Sequence, residues 1–402
     1  MTKAENPTMR IFAALGITIV VAGHLQADFL NIGGLFSYYA FHAYFFVFVA
    51  GFFYNPKSEN NIGSFIVKKA KSLLAPYFII NLFYGIFCTI LNLNGIYLGQ
   101  SISLYNLFVA PFLGGHQFMF NSPAWYVPAL FVIEIVYCIS RKILSIILER
   151  LRIEDEKALV IVDVLTLIVY LLLAMITIYL STMGKTWGIY KTIGRWLLML
   201  PGICFGRSFK EYGRKWASKL VNLIRRRIVK DSLFKVACAA LYVVFFTVIC
   251  LIQYLVLINT EYGLNFSVVW ATSYANGPIV PFITTFTGLS FWYGVSSVLA
   301  KTPLVKLLTF VGKSTNAIMS HHYLVVFVIN SISLFVLNMT DMSHLFDKGQ
   351  YISDVTYQYP YLGTVLTPNI NTVICVIVLT LYTVFSTKIK RNLSVKFKNK
   401  LW

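Results

Sequence analysis

Charge is what the chain most conspicuously lacks. Asp, Glu, Lys and Arg make up only 12% of its 402 residues, about half the share usual in soluble globular domains. With 58% hydrophobic residues, that excludes an ordinary water-soluble enzyme. Acid is scarcer than base, 15 residues against 34, for a net charge of +19. The segment 93–123 carries no charged side chain of either sign. Cys88, Cys138, Cys204, Cys238, Cys250 and Cys375 all lie in apolar stretches, without the CxxC or Cys/His spacing that holds zinc. They read as small packing residues, and no metal site is expected. There is no soluble-looking block between residues 11 and 387, no internal repeat and no recognisable nucleic-acid module to host the positive charge. The chain is expected to form one membrane domain over 1–402, with a basic tail at 388–402 and no nucleic-acid partner. The first apolar stretch has no obvious small-x-small cleavage site and contains Gly23-His24, so it reads as a retained helix.

What is present is a series of apolar segments, each long enough for a helix to cross a hydrocarbon core of about 30 Å. They run over 11–30, 36–54, 73–92, 124–140, 158–182, 192–207, 236–258, 278–300, 315–338 and 366–387. The expected fold is an all-α bundle of about ten transmembrane helices. Of the 34 Lys and Arg, 30 fall in alternate connecting segments, and basic residues accumulate on the cytoplasmic side. That places both termini there, in a multi-pass protein of the cell membrane. The piece 104–113 suggests a short re-entrant or interfacial helix before the Pro111 to Gly115 turn. With no extracytoplasmic domain attached, the choice of acceptor falls to the helices and the outer loops 93–123, 259–277 and 339–365.

Ionisable groups at bilayer depth cost free energy unless paired or hydrated, so each needs a reason. His24, His42, Glu134, Asp163, Arg195 and the pair His321-His322 are such groups. His24 lies fourteen residues beyond Arg10, about 21 Å along a helix, and His42 sits at a similar depth on the returning span. Two imidazoles that can converge suit proton transfer near neutral pH. His322 is expected nearer the inner face, and its neighbour His321 points about 100° away. Lys68, Lys69 and Lys71 form a cytoplasmic cluster that serves either as a topological flank or as a seat for an anionic ligand such as a nucleotide phosphate. Arg225-Arg226-Arg227 belongs to a basic segment that can lie on anionic lipid. Glu134 and Asp163 can each pair with a base, and Arg195 can snorkel.

Five pieces in order carry a resemblance to a known family. They are Ala14 to His24, Phe41-His42 running to Gly51-Phe52-Phe53, Lys68-Lys69-Ala70-Lys71 leading to Pro76-Tyr77, Trp125-Tyr126 running to Leu130-Phe131, and Gly312-Lys313-Ser314 running to His322. The chain resembles the membrane-bound acyltransferase family 3, most closely its fucose 4-O-acetylase-like branch. It departs in having Ala13 where many members carry Arg, with Arg10 one helical turn away, Lys for Arg in the basic stretch, and Ala50-Gly51 for Ser-Gly. The resemblance implies acyl transfer from cytoplasmic acyl-CoA, usually acetyl-CoA, to a hydroxyl of a cell-surface polysaccharide or lipid-linked oligosaccharide. In that reading His24 is the general base and His42 its partner, in exchangeable roles. Lys68, Lys69, Lys71 and Arg10 hold the CoA phosphates, and His322 lines the acyl-CoA path or holds helices together. Trp125, Tyr126 and Glu134 face the acceptor. The donor is a co-substrate, with no permanently bound cofactor. A transporter or flippase for a glycan precursor is the alternative from another class.

Overall fold

The computed structural model describes residues 6–153, 155–228, 230–260 and 276–398. Among them the chain is helical, with one isolated bridge between Gly99 and Phe118 and no sheet. Most of the segment 259–277, expected as an outer loop, lies outside the described residues. The helices are α1 Pro7–His24, α2 Tyr38–Phe41, α3 Tyr44–Phe53, α4 Ile62–Leu93, α5 Tyr126–Arg150, α6 Asp155–Thr182, α7 Gly188–Ser208, α8 Arg214–Arg227, α9 Asp231–Ile258, α10 Ile279–Leu299, α11 Val305–Lys313, α12 Thr315–Met339 and α13 Leu366–Lys398. The short helix expected at 104–113 is present as a π turn, Tyr105–Val109, followed by Ala110–Leu113.

The all-helical expectation holds, but length and composition alone support fewer than the ten spanning helices expected. Among the described residues six helices are long and apolar enough to cross a membrane: α1, α4, α6, α9, α12 and α13. The other expected spans fall on helices that are interrupted or more polar. α5 carries Glu134, Arg141 and Lys142, α7 carries Lys191, Arg195 and Arg207, and α10 is rich in Thr, Ser and Gly. The span 36–54 divides into α2 and α3 at His42-Ala43. Two side chains explain the break. The hydroxyl of Thr285 donates to the carbonyl of Ala40 at 3.0 Å, taking an acceptor that a continuous helix would use, and the His42 ring donates from Nδ1 to the carbonyl of Tyr38 at 2.6 Å. The break therefore also fixes the His42 ring.

Helix exteriors are apolar where no other helix covers them. On α9 only Ile249 and Gln253 are buried, while Val236, Val243, Val244, Leu251 and Leu255 are exposed, the inverse of a water-facing surface and the pattern a lipid solvent stabilises. Interior contacts depend on close backbone approach. A Cβ on Gly206 of α7 would stand 2.0 Å from the carbonyl oxygen of Phe48, and one on Gly51 of α3 would stand 1.9 Å from that of Ile203. Small residues at these positions let α3 and α7 pack backbone to backbone. Gly312 of α11 meets the carbonyl of Arg10 in the same way, at 2.1 Å. In α4, Pro76 removes one backbone donor and its ring crowds the preceding turn, and the π turn Ala70–Leu74 absorbs the misfit.

One polar cluster ties α5, α6 and α7 together. Arg141, expected in a cytoplasmic loop, is fully buried because α5 continues to Arg150. It donates from Nε to Glu59 at 2.8 Å and pairs with Asp163. Arg207 donates from Nε to Asp163 at 2.9 Å, Tyr212 donates its hydroxyl to the same carboxylate at 2.9 Å, and Tyr54 donates to Glu59 at 3.1 Å. Two cations and two carboxylates thus cancel inside the bundle, which makes their burial tolerable.

Candidate active site

The site begins where α1 ends. His24 is the last residue of α1, and the hydroxyl of Tyr39 donates to the carbonyl of Gly23 at 2.9 Å, satisfying part of the helix terminus. His24 Nδ1 lies 3.2 Å from Nε2 of His322, with the two rings within 10° of parallel. His42 stands nearly perpendicular to His24, ring centres 6.3 Å apart. Three imidazoles from α1, the α2–α3 break and α12 therefore meet. His322 was expected nearer the inner face. α12 instead starts after α11 has packed Gly312 against Arg10, so both helices advance from a common level and their histidines face each other. His321 turns the other way and shares a 2.7 Å hydrogen bond with the Tyr84 hydroxyl.

Hydrogen bonds select the tautomers. His322 donates from Nδ1 to the carbonyl of Ile318 at 2.9 Å, so the neutral ring has a bare Nε2. That nitrogen accepts Nδ1–H of His24, which leaves the lone pair of His24 on Nε2. His42 donates from Nδ1 to Tyr38, so its Nε2 is bare as well. His24 and His42 line a cavity of 30 Å³ together with Val20, Ala43, Phe46, Pro123, Trp125, Tyr126 and Met319, a space for about one or two water molecules. The Tyr126 hydroxyl is buried beside the Val47 backbone and donates to no acceptor among the described residues. Chemically the cavity offers two proton acceptors and one uncommitted donor in an apolar wall.

A second group adjoins it through Trp125. The guanidinium of Arg195, only 2% exposed, lies 4.3 Å from the centre of the Trp125 ring and donates to Nε2 of His116 at 3.2 Å. One face of Trp125 is thereby covered. Burial, with the nearby charges of Arg195 and Lys191, lowers the His116 imidazole to about 4. His116 is the only titratable group of the segment 93–123 besides its tyrosines, and that isolation is the signal that marks it out. Buried pairing of Arg141 and Arg207 left no sequence signal, since both stand in stretches that also read as cytoplasmic flanks.

The structure thus brings together His24, His42, His322, Trp125 and Tyr126, and keeps the remaining expected site residues apart from them. Glu134 is buried two turns along α5 from Tyr126 and pairs with Lys69. A carboxylate at that depth needs a counter-charge, and the pairing engages Lys69 as well. Lys68 and Lys71 border a shallow, open depression on α4, and Arg10 lies at the far end of α1.

A family model described as an acyltransferase domain matches residues 8–388, nearly the whole chain. The chain belongs to the membrane acyltransferase family 3. It is a multi-pass membrane acyltransferase, and all three clustered histidines lie within the matched stretch. No curated protein and no solved structure matches it.

Proposed function

We propose that this acyltransferase moves an acyl group, acetyl in the first instance, from cytoplasmic acyl-CoA to a hydroxyl of a cell-surface or lipid-linked glycan. The observation that carries the reading is the bare Nε2 of His24, fixed by His322, over a cavity shared with His42 and Tyr126. A sugar hydroxyl is a weak nucleophile at pH 7. His24 Nε2 takes its proton as the oxygen attacks the thioester carbonyl, and Tyr126 donates its hydroxyl to the oxygen on which charge develops. The tetrahedral intermediate then collapses, the C–S bond breaks, and the proton held by His24 passes to the departing sulfur. The products are an O-acyl ester and CoA thiol. His42 shares the cavity as the second acceptor and can exchange roles with His24. His322 acts through His24 as a positioning residue. The cavity is too small for sugar and thioester together, so binding opens it by rotation of flexible side chains such as Met319 and Phe46.

In this reading the chain crosses the cell membrane ten times with both ends in the cytoplasm, the more polar helices α5, α7 and α10 being shielded by the six apolar ones. Positive charge in alternate segments supports that orientation. The acceptor enters from the outer side past Trp125, which lines the histidine cavity. Mass spectrometry of surface glycans from cells with and without the gene tests the proposal. A mass difference of one acyl group, lost in both His24→Ala and His42→Ala cells with normal protein levels, is expected. Identical glycans with and without the gene would refute it.

A further inference from the structure

Of the 34 Lys and Arg, four fall outside the alternate basic segments, and three of those four, Lys185, Lys191 and Arg195, stand close together around the start of α7. Topology does not ask for them there, since basic residues accumulate in the other set of segments, the cytoplasmic one. Arg195 is committed to Trp125 and His116, and Lys191 is close enough for its charge to act on both Arg195 and His116. Lys185 is different. It is exposed, its ammonium lies 5.5 Å from the centre of the Tyr190 ring, and it makes no ion pair among the described residues.

Lys185 also lines a groove. A cavity of 320 Å³ lies between the end of α6 and the start of α7, in the size range of small-ligand sites. Thr177 and Gly194 are its buried walls, and Leu180, Ile189, Ile193 and Leu197 make most of the rest apolar. The hydroxyl of Thr177 donates to the carbonyl of Leu173 at 3.1 Å, so its polarity is used within α6. One cation on an otherwise apolar wall suits a molecule with an anionic group and a hydrocarbon chain. A free sugar or nucleotide would leave the apolar lining unmatched. Tyr179, Trp187 and Tyr190 are exposed on either side of Lys185 in the chain, and such aromatics settle at headgroup level. That is the level of a lipid phosphate.

We infer that this groove seats the phosphate-linked lipid carrier of the acceptor glycan, with its phosphate at Lys185 and its hydrocarbon chain between α6 and α7. The assignment rests on the acyl-transfer reading and names the form in which the acceptor arrives. The route to the histidines crosses α7. Gly194 walls the groove, the next residue is Arg195, and its guanidinium covers Trp125, which lines the histidine cavity. From Gly188, where α7 begins, to Arg195 is seven residues of helix, about 10 Å, a distance that a short glycan attached to the phosphate crosses. An ordinary phospholipid also offers a phosphate and a chain, but it delivers no glycan to that end.

The test uses the full chain in lipid nanodiscs, with farnesyl phosphate as the probe and native mass spectrometry as the readout. Lys185→Gln is expected to raise its Kd about fivefold, the upper range for an exposed charge pair, and to leave the Kd of uncharged farnesol unchanged. Ile193→Trp fills the groove from an exposed position and is expected to weaken both lipids about tenfold. Neither inorganic phosphate nor phosphatidylglycerol at equal concentration should displace farnesyl phosphate. In the acetylation assay both variants should raise KM for a lipid-linked acceptor with kcat unchanged, and leave transfer to the same oligosaccharide without its lipid unaffected. Equal Kd values in wild type and both variants, or displacement by phosphatidylglycerol, would overturn the carrier assignment and leave acyl transfer intact. Farnesyl phosphate bound as expected, with no acetyl group reaching any acceptor, would overturn the acyl-transfer reading and the carrier's role with it.

Discussion

Two polar regions are buried in this bundle, and they solve the same physical problem differently. Around Asp163, Arg141, Arg207, Glu59, Tyr212 and Tyr54 close on one another with opposite charges matched and no cavity lining shared with the histidines. Around His24, Nε2 of two imidazoles and the Tyr126 hydroxyl remain uncommitted on the wall of a cavity. Charge-matched networks hold helices together even where single nitrogens such as Arg141 Nη2 and Arg207 Nη1 make no hydrogen bond; leaving hydrogen-bonding capacity open on the wall of a cavity costs stability and makes sense where a substrate will use it. The difference separates structure from chemistry better than burial or residue type, since both regions are ionisable and buried.

The sharpest way to break that comparison is to injure each region once. Asp163→Asn leaves Arg141 and Arg207 short of a counter-charge and is expected to cost about 3–5 kcal/mol of stability, read by thermal unfolding in detergent. His24→Ala is expected to leave that unfolding curve in place and to lower the transfer rate by about 10²–10⁴-fold. Equal stability losses in the two variants would dissolve the distinction. Gly206→Ala forces a methyl group against the carbonyl of Phe48 and is expected to destabilise by about 3 kcal/mol through overpacking, with Gly213→Ala, whose methyl would meet the Phe209 side chain at 3.2 Å rather than a carbonyl, as the milder control.

His322 sharpens the comparison within the site. His322→Leu removes the acceptor that sets the His24 tautomer and is expected to slow transfer about 10–100-fold, as loss of an imidazole's orienting partner does elsewhere. His322→Gln, whose amide oxygen can still accept from His24 Nδ1, should recover most of the loss. A merely structural His322 would show parallel losses of stability in both variants. The smallest effect is at His116. Its folded value of about 4 lies below the ordinary 6.5, so its contribution is complete above pH 6.5 and is lost as the pH falls toward 4. His116→Gln should flatten the stability profile in that window, measured as melting temperature against pH.

Much of the site was legible in the sequence because histidines at bilayer depth have few innocent explanations, and the spacing of His24 and His42 from their helix starts placed them together. Their company was harder to read. His322 joined them because α11 packs Gly312 against Arg10 and so sets the level from which α12 starts, a contact that hydropathy does not register. The division of 36–54 escaped the same way, since Thr285, far along the chain, supplies the competing hydrogen bond. The helix locations followed from apolar runs, but α5, α7 and α10 are shielded by neighbours and carry polar residues that blur any count of crossings. Lys69 shows the limit of reading charge locally: its partner Glu134 lies on another helix, and only packing reveals the pairing.

The most direct test of acyl transfer is a single reconstitution. Purified wild-type protein in vesicles, given acetyl-CoA labelled in the acetyl group on the Arg10 side and a glycan-lipid acceptor on the other, should place the label on the acceptor as a base-labile ester. Movement of the glycan across the bilayer without acyl-CoA, and with no label on it, would contradict the account and point to a transporter.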